Sequence, residues 1–163
     1  YVTQSAATTQ AASFQAQIDV LNAYHSAIKY ATAYFTSSPV NSPGYDGPLT
    51  FDAADTNAGS TIWDNALPQR LTVPAGASFG RFTIQMDAFA ITATDTIKYA
   101  IRKNGALIGE SGKVLKEGTI TFSTGIVSLT PGDYFTVEQT AIGDIDTVSV
   151  YPRDSHAILQ ILG

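Results

Sequence analysis

The chain has 163 residues, enough for one domain with an appendage and too few for two full domains. Hydrophobic residues make up 44% and charged residues 14%, a balance that excludes a disordered chain, and no apolar run reaches the roughly 18 residues of a membrane span. The net charge of −5 argues against a nucleic-acid partner, and the absence of cysteine removes disulfides, thiolate metal sites and cysteine nucleophiles together.

The chain opens on Tyr1 with no charged segment and apolar core of the signal-peptide kind. It is expected to be a processed chain or the later part of a longer one. Residues 1–48 carry only Asp19, Lys29 and Asp46 as charges. Within them Phe14, Ile18, Leu21, His25, Ile28, Thr32 and Phe35 are spaced alternately four and three apart, which predicts a helix with a heptad seam. Ser13 is the expected N-cap. A helix packed on its own domain remains an alternative, but the preferred reading is a trimerisation seam. Tyr24, Tyr30, Ala31 and Tyr34 stand where a solvated coiled coil carries Glu and Lys, so the helix is also expected to pack against a second protein.

Residues 37–48 hold Pro39, Pro43, Gly44, Gly47 and Pro48 and predict a semi-extended linker. The expected organisation is a helical anchor and trimerisation segment at 1–36, the linker at 37–48 and a β domain at 49–163.

Beyond the linker the period becomes two. Phe82, Ile84, Met86, Ala88 and Ala90 share one strand face, and Ile97, Tyr99 and Ile101 share another. Further strands are predicted at 119–124, 134–137, 148–151 and 158–162, rich in β-branched and aromatic residues. Asn104-Gly105 is a hairpin turn signal, and Pro131-Gly132 fits a type II turn. Pro74-Ala75-Gly76 is a further turn. The fold class expected is mainly β, an antiparallel jelly-roll sandwich of about 8–10 strands with an N-terminal α-helical segment.

Three segments carry a resemblance. Leu71-Thr72-Val73-Pro74-Ala75-Gly76 followed by Gly80-Arg81-Phe82-Thr83-Ile84 resembles a V-P-x-x-G-x-Y-x-F entry. Ile101-Arg102-Lys103-Asn104-Gly105 resembles an L-x-K-N-G hairpin, and Leu129-Thr130-Pro131-Gly132-Asp133-Tyr134-Phe135-Thr136-Val137 resembles L-x-x-G-D-x-V-x-V. These are similar to the trimeric jelly-roll heads of the complement globular head and tumour-necrosis-factor superfamily. The sequence departs from that pattern at Arg81, where the family has an aromatic, and in lacking a closing Phe-x-Gly. A helical stalk, a Pro/Gly linker and such a head together resemble phage fibre knobs, head spikes and decoration trimers. The resemblance implies a homotrimer, and the terminal strand, apolar on both faces, is expected to put Ile158, Ile161 and Leu162 at the head interface.

Gly76-Ala77-Ser78-Phe79-Gly80 matches the G-x-S-x-G elbow, with His156 and Asp133, Asp144, Asp146 or Asp154 downstream as candidate partners. The elbow needs a helix after the serine, whereas Gly80 leads into a strand pattern, so a small serine hydrolase using Ser78 is the weakest alternative. His25 could form a threefold layer around an anion or a metal, but a polar layer that fixes register is preferred. Asp144 and Asp146 fall short of the six to eight ligands of calcium and are expected to be solvated. Trp63 is read as a packing residue rather than a receptor anchor. Lys98, Arg102, Lys103, Lys113 and Lys116 are read as a solvated face. No cofactor or resident metal is expected.

The functional expectation is a non-enzymatic trimeric virion structural protein. It would bind a capsid or other virion protein through its N-terminal segment and project a head for stabilisation or for attachment to a host surface receptor. The alternative is a secreted complement- or TNF-like ligand or adhesion module. Against that stand the absent cysteines and the absent Asn-x-Ser/Thr sites.

Overall fold

The fold was described from a computed structural model, which places residues 4–27, 29–36, 47–56, 61–90, 96–111, 114–115, 117–142 and 148–162. One helix, α1 (Gln4–Ala27), precedes twelve strands in the described residues: β1 (Lys29–Tyr34), β2 (Gly47–Pro48), β3 (Ala53–Thr56), β4 (Leu71–Thr72), β5 (Phe79–Ala90), β6 (Thr96–Lys103), β7 (Ala106–Glu110), β8 (Val114–Leu115), β9 (Glu117–Ser128), β10 (Tyr134–Ile142), β11 (Val148–Val150) and β12 (His156–Ile161).

The strands form two antiparallel sheets. The first runs β9-β5-β12-β1-β3, with β11 continuing beside the far end of β5. The second runs β10-β6-β7, with β2 and β4 against β10 and β8 against β6. Alternation along each strand sends one face inward. Phe82, Ile84 and Met86 of β5 meet Ile97, Tyr99 and Ile101 of β6 and Phe135 and Val137 of β10 in one core. The rings of Phe82 and Phe135 stack across the two sheets, with centroids 5.0 Å apart and planes 8° from parallel. This is the mainly β, two-sheet jelly-roll architecture expected from the alternation and turn signals.

The expected helix is corrected at both ends. It begins at Gln4, so Ser13 lies inside it rather than capping it. The Ala, Gln, Ser and Thr residues before Ser13 contain no helix breaker. At the other end the helix stops at Ala27 and the chain becomes strand at Lys29. Thr32 and Phe35, expected on the helical seam, therefore sit in and just after a strand. Residues 29–34 pair with β12 on one side and, from Ala31, with β3 on the other, which satisfies their backbone groups within the sheet. Ala31, Ala33 and Phe35 face the core, and Phe35 packs on Phe51 with centroids 5.0 Å apart. Residues 37–46 of the expected linker lie outside the described residues, and Gly47–Pro48 is a short strand on β10.

The two motifs after residue 100 lock together at one end of the second sheet. Asn104 and Gly105 take φ of 51° and 81°, the left-handed pair that a two-residue hairpin turn requires. The Asn104 side chain donates to Asp133 Oδ1 (2.7 Å) and accepts from the Tyr134 amide (2.9 Å). Asp133 Oδ2 accepts from the Thr130 amide (2.8 Å) and pairs with Lys103 (2.7 Å). Hydrogen bonds from Lys103 and Asn104 hold the Asp133 carboxyl at about 2, below its ordinary 3.8. Gly80 answers a different need: a Cβ there would stand 2.6 Å from Gln160 O and 2.6 Å from Leu129 Cδ1.

Two outcomes follow for stability. Phe135→Ala removes one ring of the inter-sheet stack and is expected to cost about 3–5 kcal/mol in a urea titration. Because the Asp133 carboxyl is depressed in the fold, its contribution is complete above pH 3.8 and fades as pH falls towards about 2. Asp133→Asn should therefore lower the thermal midpoint at neutral pH, and the gap from the parent should narrow through that acid window.

Candidate functional site: the outer face of the first sheet

The outer faces of the two sheets differ in chemistry. On the second sheet, Lys98 pairs with Glu110 and Arg102 with Glu138, a solvated surface of compensated charges. Lys113 and Lys116 lie outside the described residues.

On the first sheet the register places the outward side chains in rungs across β1, β12, β5 and β9. One rung is Tyr30, Gln160, Arg81 and Ile126; the next is Thr32, Ile158, Thr83 and Ser123. Arg81 is the only charged residue in these eight positions, and its guanidinium donates to Gln160 Oε1 at 3.0 Å. Tyr30 is 42% exposed and Ile126 70% exposed. Phe79, which precedes Arg81 by two residues and shares its face, is 52% exposed. Tyr30, Thr32, Arg81, Thr83, Ile158 and Gln160 line a shallow open depression of about 330 Å³. A charge-poor face, with Arg81 within it and the exposed Asp55 of β3 beside Thr32 at its edge, and with apolar side chains spread across four strands, is suited to a protein partner of similar character.

The sequence candidates divide over this geometry. Ile158 lies on the outer face. Leu162 is half-buried just beyond β12, and its amide bonds Phe79 O at 2.9 Å. Ile161 is corrected: it is 3% exposed in the sandwich core beside Leu159, because residues three apart on a strand point to opposite faces. Thr32 belongs to the outer sheet face rather than to a helical seam. Tyr30, expected on a helix face against a second protein, stands instead on β1; Arg81, Thr83 and Gln160 were not singled out as interface residues, although the period-two parity of β12 and β5 could have placed them beside Ile158.

On α1 every described side chain is exposed. Phe14, Ile18 and Leu21 are 54%, 48% and 68% exposed. The His25 side chain and Ile28 lie outside the described residues. Lys29, two residues past the end of α1, pairs with Ile161, so the helix leaves the head at the end of the sheet that carries Tyr30.

The hydrolase constellation is not assembled. Ser78 precedes β5, whereas His156 pairs with Gln85 far along that strand. At about 3.4 Å per residue they are roughly 20 Å apart. Asp133 is committed to Lys103, Asn104 and Thr130. Asp154 is exposed, and Asp144 and Asp146 lie outside the described residues. Trp63 is half-buried against the core and donates to Pro68 O at 3.4 Å. Among the described residues no three His, Asp or Glu side chains gather to hold a metal, and no helix is long and apolar enough to cross a membrane.

No protein-family model and no curated protein matches the chain. Solved structures do. Eiger TNF from S. frugiperda aligns with a TM-score of 0.58 at 13% identity, over 83% of this chain and 92% of its own. Murine APRIL aligns with a TM-score of 0.58 at 12% identity, over 83% of this chain and 99% of its own. Two sheets with this register and these structural neighbours give the chain a TNF-like jelly-roll fold.

Proposed function

We propose that the chain is the subunit of a non-enzymatic homotrimer, in which the outer face of the first sheet meets its copies and the head projects from an N-terminal helical stalk. The observation that carries this reading is the charge-poor face around Ile158. Burying a charge-poor face against its own copies brings few like charges together: Arg81 donates to Gln160, and Asp55 lies on β3 at the edge of the face. The helix supports the same assembly. It leaves from the end of β1 on this sheet, so copies joined through the face bring their helices together, with Phe14, Ile18 and Leu21 available as a seam.

The setting proposed is a virus particle. The N-terminal segment, with Asp19 as the one charged residue of α1, would bind a capsid or other virion protein. The head would stabilise the shell or attach to a host surface receptor. A second reading, a secreted TNF-like ligand, is favoured by the likeness to Eiger TNF and APRIL over 83% of the chain.

Sedimentation equilibrium tests the assembly. The expected mass is about three times the 17.2 kDa of the chain. Ile158→Asp should lower it towards a single chain with the β-sheet circular dichroism retained, whereas Leu107→Asp, an exposed residue of β7, should leave it unchanged. A parent protein of 17.2 kDa at micromolar concentration would refute the trimer. Mass spectrometry of purified particles and of conditioned medium separates the settings: recovery in particles supports the virion role, and recovery only in medium supports the ligand.

A further inference from the structure

Inside the sandwich, Gln139 of β10 stands directly opposite Tyr99 of β6. Both are fully enclosed, at 1% and 0% exposure. Their in-strand neighbours on the same face are apolar: Val137 beside Gln139, and Ile97 and Ile101 beside Tyr99. Yet Tyr99 Oη, Gln139 Nε2 and Gln139 Oε1 have no hydrogen-bond partner among the described residues. The backbone around them is satisfied. Tyr99 N donates to Ser111 Oγ at 2.8 Å, and Ser111 N donates to Tyr99 O at 2.7 Å. Only the side-chain tips are bare.

Three bare polar atoms in one apolar core are unlike the rest of the fold. A buried amide or hydroxyl without a partner carries its full desolvation cost, and native cores answer such groups with protein or with ordered water. Small residues flank this rung on both sides. It runs from Gly47 of β2, which has no side chain, through Gln139 and Tyr99 to the small Ser111. The chemistry also matches. Gln139 supplies donors and an acceptor, and the phenol supplies one of each. A buried water typically makes about three hydrogen bonds, and the Gln139 amide and Tyr99 hydroxyl together offer donors and acceptors for them. We infer that the Gly47–Gln139–Tyr99 rung holds an internal hydration site, in which ordered water bridges the Gln139 amide to the Tyr99 hydroxyl. Burial pushes the phenol pKa well up, so Tyr99 keeps its proton and stays both donor and acceptor across ordinary pH. The site pins β10 to β6 at the inward rung where Gln139 faces Tyr99. It is independent of the trimer and of the particle.

Nuclear magnetic resonance on the full chain tests it with water as the probe. The expected result is cross-relaxation between the Gln139 side-chain amide protons and a long-lived water, with the Tyr99 hydroxyl proton visible through slow exchange. Tyr99→Phe should abolish that water signal at Gln139 and lower the thermal midpoint by roughly 2–4 °C. Gln139→Met, which keeps the volume, should lower it by a similar amount, and the double variant should lose less than the sum. The absence of a long-lived water signal in the parent protein would overturn the inference. So would a higher thermal midpoint in Gln139→Met, since that is the signature of a dry, unsatisfied amide. The parent spectrum decides the matter even if a variant fails to fold.

Discussion

The antiparallel ladder between β1 and β12 is the contact on which the architecture turns. Six residue pairs, from Lys29↔Ile161 to Tyr34↔His156, join the start of the sandwich to its last strand. Without them β3 would lose its link to the sheet, because its route into the sheet runs through β1. The ladder also decides what faces outward. It sets Ala31 and Ala33 level with Leu159 and Ala157 in the core, and Tyr30 and Thr32 level with Gln160 and Ile158 outside. Finally, it fixes where the helix leaves. The proposed interface and the proposed stalk are thus two consequences of one strand register.

That same ladder explains what sequence reasoning could and could not see. The turns at Asn104-Gly105 and Pro131-Gly132 were legible because their residue types are dictated by local backbone geometry. Strands β5, β6 and β9 were legible because their alternation has no helical competitor. Residues 28–35 satisfy two periods at once. Ile28, Thr32 and Phe35 continue a heptad, yet Ala31, Ala33 and Phe35 also alternate with Tyr30, Thr32 and Tyr34. Which period wins depends on β12, more than a hundred residues away, and nothing local encodes it. Ile161 is a smaller instance. With apolar residues on both faces of the terminal strand, only pairing to Gly80 reveals that it points inward. The outer-face set around Ile158 needed that parity before Arg81, Thr83 and Gln160 could be joined to it.

Low charge in this chain has two distinct physical meanings. On the second sheet the charges that exist are spent in compensated pairs, and that surface can stay in water. On the first sheet the face is filled, around the single guanidinium of Arg81, with Thr, Ser, Gln, Ile and Tyr, which hold a surface in water without forbidding its burial. The asymmetry lets one sandwich present a charge-paired side and a charge-poor side with no change in its core.

The helix presses the argument furthest. In proteins a helix draws most of its stability from packing an amphipathic face rather than from intrinsic propensity. At about 1.5 Å per residue, α1 extends roughly 36 Å. Its described side chains are exposed throughout, Phe14, Ile18 and Leu21 among them. Intrinsic propensity from its alanines offsets part of the ordering cost. The apolar stripe gains nothing in the isolated chain, whereas burying each large aliphatic or aromatic side chain against a partner contributes about 1.5–3 kcal/mol. In the proposed trimer the head supplies the proximity and the stripe supplies the contact. Joining the heads raises the local concentration of the helices, so a seam too short to associate alone can form once the sheets have met.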